Sequence, residues 1–172
     1  MTGIIKAVRG EIRKNNIEAV VIPSKKIVFG RWVRVKCSYG CEMYGRSWSC
    51  PPATPDIDEA KKIVSCYKSA LFLRFRSRSL LDQKKMQKPI LEIERKLFLA
   101  GFYKAFAFFP GPCSFCVSCR YPKPCRFPAM KRPTIEGFGI DVFRTAKNAG
   151  MDVDVIKNPS GFSHSFSLVL VE

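Results

Sequence analysis

Apolar and polar positions change period several times along the chain, and each change marks an element. Ile4, Ile5, Val8 and Ile12 fall near helical spacing, so a short helix is expected over residues 3–14. Residues 17–22 (IEAVVI) read as a strand. Residues 27–35 (IVFGRWVRV) alternate in part and read as a second strand, one that delivers Cys37. Ile57, Ala60, Ile63 and Val64 then share one helix face that runs to about Cys66. The start of that helix is marked by Thr54 as cap and Pro55 at the first helical position, with Asp56, Asp58 and Glu59 at the positive end of the dipole. Residues 69–75 read as a strand. Residues 80–100 carry the longest helical pattern, with Met86, Ile90, Ile93, Leu97 and Phe98 inward and Gly101 as its C-cap. A strand over 104–109 is stopped by Pro110-Gly111-Pro112. Thr134 to Asn148 read as a helix capped by Thr134 and closed by Gly150, and strands over 152–156 and 165–171 are joined by a turn at 158–161.

This order predicts an α/β fold, with α+β as the alternative. The expected architecture is a mixed β-sheet flanked by helices, with two cysteine-rich loops at strand ends. One domain is expected over residues 1–172. The loops, 37–52 and 113–128, are poor in aliphatic residues, and Pro122, Pro124 and Pro128 exclude a continuous helix from the second.

Composition sharpens the chemistry. Hydrophobic residues make up 47% of the chain, enough for a packed core. No stretch approaches ~20 apolar residues, so no membrane span is expected. Residues 1–16 are charged every few positions and hold no long apolar run, so they do not read as a secretory signal. The expected location is cytoplasmic, where clustered cysteines are more often metal ligands than disulfides.

Seven of the eight cysteines fall in the two loops. Cys37, Cys41 and Cys50 form C-x3-C-x8-C, and Cys113, Cys116, Cys119 and Cys125 form C-x2-C-x2-C-x5-C. The single histidine, His164, reads as a solvated turn residue, so any metal site must be mostly thiolate. That argues against His-dominated zinc or non-haem iron. Three cysteines at two-residue gaps, followed by a fourth with proline nearby, resemble a ferredoxin run and favour a [4Fe–4S] cluster. Zinc sites more often use two Cys pairs ~12–20 residues apart, so zinc is the alternative. The three-Cys loop holds a second cluster, an open metal position, or a set completed from elsewhere in the chain. The two loops pooling ligands at one site is a further arrangement. Cys66 reads as a small buried residue on a helix face.

Tyr39, Tyr44 and Trp48 read as covers that keep water from the metal, with base stacking as the sharper alternative. Arg46, Arg120, Lys123, Arg126, Lys131 and Arg132 surround the cysteines and offset thiolate charge. Lys and Arg number 30 against 14 acids, a formal +16, which suits an acidic partner protein or nucleic acid as well as a solvated surface. No catalytic motif is present: there is no G-x-S-x-G, P-loop or dinucleotide fingerprint. No catalytic residue is named, and enzyme activity is left open.

YGCEMYGRSWSCPPATP, GPCSFCVSCRYPKPCRFPAMKRPTIEGFGIDVFRTAKNAG and SLVLVE resemble the DUF2284 family of predicted metal-binding proteins, over roughly residues 30–172. The resemblance implies a cysteine-ligated metal, iron–sulfur in kind, at Cys37, Cys41, Cys50, Cys113, Cys116, Cys119 and Cys125, and it implies no particular reaction. The leading expectation is a protein that carries one [4Fe–4S] cluster, or two, and acts in electron transfer or as the cluster-bearing partner of a redox enzyme. The alternatives are a zinc-stabilised basic module for RNA or an acidic protein, and an enzyme with an open iron site.

Overall fold

The computed structural model describes residues 2–77, 80–153 and 163–172. Its elements run α1 (Thr2–Lys14), β1 (Glu18–Pro23), α2 (Arg31–Gly40), α3 (Ile57–Ser65), β2 (Ser69–Ser77), α4 (Leu80–Leu99), β3 (Phe106–Phe108), α5 (Val142–Asn148) and β4 (Ser163–Leu170). The fold mixes helices with one four-stranded sheet ordered β1-β2-β4-β3. Its ladders are antiparallel throughout, which replaces the mixed pairing expected from sequence.

Strand β2 explains the layering. Its side chains alternate between faces, and both faces are covered, so Ala70–Leu73 read as an unbroken apolar run rather than as alternation. Phe72 and Ala70 join Ala60 and Val64 of α3, Phe108, Ile135, Phe138, Ile140 and Ala146 on one side. Leu71, Leu73 and Phe75 meet Ile4 and Val8 of α1 and Ile90, Ile93 and Leu97 of α4 on the other. Each such fully buried large side chain stabilises by about 1.5–3 kcal/mol.

Several expectations give way to packing. Residues 31–40 are helical rather than part of a strand, so Cys37 is delivered by a helix. Val33 is the buried residue of α2 and Arg34 is its anchor, bonded to Thr54 Oγ1 (2.9 Å), Pro55 O (2.9 Å) and Gly137 O. Thr54 is thereby taken up inside the fold, and the cap of α3 is Asp56, whose carboxylate accepts from Glu59 N. Phe98 faces outward, 56% exposed, because it lies off the stripe of Ile90, Ile93 and Leu97. The helix expected over 134–148 is broken. A 3-10 turn over Glu136–Phe138 ends at left-handed Gly139 (φ 82°), and α5 starts afresh with Asp141 accepting from Arg144 N. Cys66 is exposed at the C-cap of α3, its thiol donating to Lys62 O at 3.4 Å, and is not a core residue. His164 is exposed but stands in β4 opposite Arg76, not in a turn. Of the strand expected over 152–156, Asp152 and Val153 are irregular and the rest lies outside the described residues, as does the turn at 158–161.

Candidate metal centre

The helical form of residues 31–40 brings the first thiols together. At about 1.5 Å per residue a C-x3-C step spans about 6 Å along a helix, against about 13 Å along a strand. Positions four apart also share a helix face. Val33, Cys37 and Cys41 therefore point toward the same side. They line a cavity of about 430 Å³ together with Cys50, Tyr44, Thr134, Glu136 and Phe143. Burial, then the neighbouring Cys41 thiolate and Glu136, push the Cys37 thiol up, with Arg34 opposing. Burial pushes Cys50, 5% exposed, up to about 11 against hydrogen bonds from Ser49 and Ser47. Neutral thiols are favoured here until a cation joins them.

The second loop leaves the sheet after β3 and returns to the same place. Phe109 N donates to Pro133 O (2.8 Å) and Ile135 N donates to Phe109 O (3.2 Å), which closes the loop at its base. Gln87 of α4, 1% exposed, clamps the loop's start: its amide donates to Pro112 O (2.8 Å) and its carbonyl accepts from Ser114 N (2.9 Å). Within the loop Cys113, Cys116, Cys119 and Cys125 line a narrow cavity of about 20 Å³ with Trp48, Phe115, Arg120, Arg126 and Lys131. The Cys113 thiol is pushed up, chiefly by burial. Burial raises Cys119 too, but hydrogen bonds from the N–H groups of Trp48, Tyr121 and Arg120 and from the Ser47 hydroxyl outweigh it, and its thiol lies below the usual range.

Trp48 belongs to this second site, although it is close to the first cysteines in sequence. Its indole N–H donates to Lys123 O (3.0 Å), Tyr121 meets it edge-on (centroids 5.0 Å apart), and the Lys131 ammonium sits 4.3 Å from its ring centroid. Tyr39 is 89% exposed and covers nothing, whereas Tyr44 lines the first cavity.

The two cysteine sets are separate, and two serines join them. Ser49 Oγ lies 3.7 Å from Cys50 Sγ, accepts from Cys113 N at 2.9 Å and contacts Ser47 Oγ at 2.8 Å. The Ser47 hydroxyl also acts on the Cys119 thiol, lowering it. Both serines are buried, at 1% and 0% exposure, inside the segment Ser47-Trp48-Ser49-Cys50. Gln87, Ser47 and Ser49 were invisible to motif reasoning. The one available signal was two small hydroxyl residues flanking Trp48 immediately before a cysteine.

As they stand, no three Cys, His, Asp or Glu side chains among the described residues are gathered tightly enough to hold an ion. Seven thiols line two cavities, and thiolate sulfur is a donor suited to soft metals. The DUF2284 family model, a predicted metal-binding protein, matches residues 20–171. The chain belongs to this family. DUF2284 carries no further specification of the metal, and no curated protein or solved structure matches the chain. No helix among the described residues is long and apolar enough to cross a membrane.

Proposed function

We propose that this DUF2284 protein is an electron-transfer protein in which Cys113, Cys116, Cys119 and Cys125 hold a [4Fe–4S] cluster and Cys37, Cys41 and Cys50 hold a second metal centre. The observation that carries the reading is the treatment of Cys119. Three backbone N–H groups and the Ser47 hydroxyl hold its thiol low beside three further thiols on one narrow cavity, a setting that favours thiolate ligation and would tune the potential of an iron–sulfur centre. A bound cluster would supply one-electron chemistry, its charge change spread over several irons and sulfides. The chain's own residues do the rest. Trp48 and Phe115 limit water at the second site, Arg120 and Arg126 offset thiolate charge, and Ser47 and Ser49 link the two sets through hydrogen bonds. The cations around the second loop suit an acidic redox partner.

Protein purified without oxygen should be coloured, bleach on reduction, and contain iron and acid-labile sulfide at about four to eight per chain. A colourless preparation holding stoichiometric zinc and no sulfide overturns the reading. That second reading has one observation in its favour: the cavity between the four thiols, about 20 Å³, is the size of a single small occupant. The larger first cavity, about 430 Å³, is far wider than a tetrahedral zinc site closed at Zn–S distances of ~2.3 Å.

A further inference from the structure

We propose that Glu136 is the fourth protein ligand of the centre at Cys37, Cys41 and Cys50, a carboxylate oxygen completing a three-sulfur set. The inference rests on the reading that these three thiols hold a metal, and it names the donor that the cysteine pattern lacks.

The remaining candidates are elsewhere. Cys66 lies beside Lys68, Gly101 and Glu172, and His164 is exposed on β4. Glu136 shares one cavity with all three thiols. The fold fixes this placement from three directions. Arg34 of the Cys37-bearing helix donates to Gly137 O. Thr134 N donates to Ser49 O (2.9 Å), one residue before Cys50. Gly137 packs so closely on this segment that a Cβ there would lie 3.0 Å from Ser49 O and 3.5 Å from Cys50 Cα. The 3-10 turn carrying Glu136 is thus bolted to the backbone on both sides of the three-sulfur set.

The carboxylate also lacks a cationic partner among the described residues. No Lys or Arg among the described residues lies within ion-pair distance of it. Lys36, the cation on the same cavity wall, is turned over the Trp32 ring instead, 5.2 Å from its centroid. Glu136 is exposed to solvent where it lines this cavity. With three thiols on the same cavity and no cation paired to it, the carboxylate can take a bound metal cation as its counter-charge. In a cluster it would leave one iron with a harder ligand than the others.

The test uses the full chain, reconstituted anaerobically with ferrous iron and sulfide, in four forms: wild type, Cys41→Ala, Glu136→Ala and Glu136→Cys. Metal content after a chelator challenge and the Mössbauer spectrum are read for each, with circular dichroism to confirm folding. In wild type one iron should differ from its thiolate-bound neighbours. Glu136→Ala should lose metal from this centre to chelator by more than the ~10–100-fold expected when only an outer-shell group is removed. Glu136→Cys should restore retention and erase the distinct iron. Unchanged retention and an unchanged spectrum in Glu136→Ala overturn the proposal while leaving the three-Cys centre standing. A Cys41→Ala chain that keeps all of the wild-type metal overturns the underlying reading, and the proposal with it. Should Glu136→Ala fail to fold, Glu136→Gln takes its place, with the same loss expected.

Discussion

Replacing Ser49 with alanine removes one oxygen atom from the interior, and its cost can be worked from its bonds. The hydroxyl accepts from Cys113 N (2.9 Å) and is hydrogen-bonded to Ser47 Oγ (2.8 Å), and Ser49 is 0% exposed. Leaving the Cys113 N–H without an acceptor costs about 1–3 kcal/mol, and losing the bond to Ser47 costs about 0.5–1.5 kcal/mol more. The two add to about 1.5–4.5 kcal/mol. For a chain of this length each kcal/mol lowers Tm by about 2–4 °C, so a fall of about 3–18 °C is expected. Thermal melts of the reduced protein under anaerobic conditions measure it, with Ser65→Ala as control. Ser65 donates to Lys62 O on the exposed side of α3, where a substitution should change stability by less than about 0.5 kcal/mol. A Ser49→Ala melt that coincides with the control refutes the bridge as a structural joint. If the melt falls as expected, the same variant should also loosen metal at both cysteine sets, since Ser49 touches Cys50 on one side and fixes Cys113 on the other.

Three other outcomes follow from the same coordinates. Glu94→Ala should cost about 3–5 kcal/mol in chemical denaturation, because Glu94 pairs with Arg132 at 13% and 14% side-chain exposure and also accepts from Ala107 N (2.6 Å), leaving a buried cation and a buried N–H unpaired. Gly139→Ala should destabilise by about 1–3 kcal/mol and weaken metal retention at the three-Cys site: it puts a side chain at φ 82° with its Cβ 2.7 Å from Ile57 Cγ1, directly behind the Glu136 turn. The hydrogen bond from Arg95 holds the Glu92 carboxyl below its usual range, so its contribution is present above that range and lost as pH falls through the lowered value. The pair is exposed, and Glu92→Gln should leave Tm unchanged within error at physiological salt.

The sheet and its two covering layers were legible wherever burial is one-sided or complete. Ile90, Ile93 and Leu97 announce α4 even with Pro89 inside the helix, and the all-apolar run of β2 announces a strand covered on both faces. Residues 31–40 were not legible. Trp32 and Val35 are 47% and 56% exposed, so their apolar character imitates a strand pattern that no core enforces, and Arg34's tertiary bonds decide in favour of a helix. The break at Gly139 was hidden for a similar reason: Thr134 and Glu136 imitate a helix start, but the Thr134 hydroxyl accepts from Gly137 N within one tight turn. The division of the cysteines into two sets could be read from spacing. Their connection could not, because Ser47, Ser49 and Gln87 act through geometry that no spacing encodes.

The two cysteine sets differ in electrostatic setting, and under the proposed function that difference gives electrons a direction. Arg120, Arg126 and Lys131 line the four-Cys cavity. The three-Cys cavity has Lys36 and Glu136, which makes no ion pair among the described residues, on its walls. Adding an electron makes a centre more negative, which nearby cations favour and a nearby carboxylate opposes. The four-Cys centre should therefore have the higher potential, and electrons should pass from the three-Cys side through the Ser49 joint to the Trp48 face, where the cations also receive an acidic partner. Replacing Arg126 with Gln removes one of those charges without removing a ligand. Redox titration followed by electron paramagnetic resonance should show the four-Cys potential falling while the three-Cys potential holds. If both potentials move equally, or the three-Cys centre proves the easier to reduce, the assigned direction is wrong, and the cations serve only to neutralise thiolates.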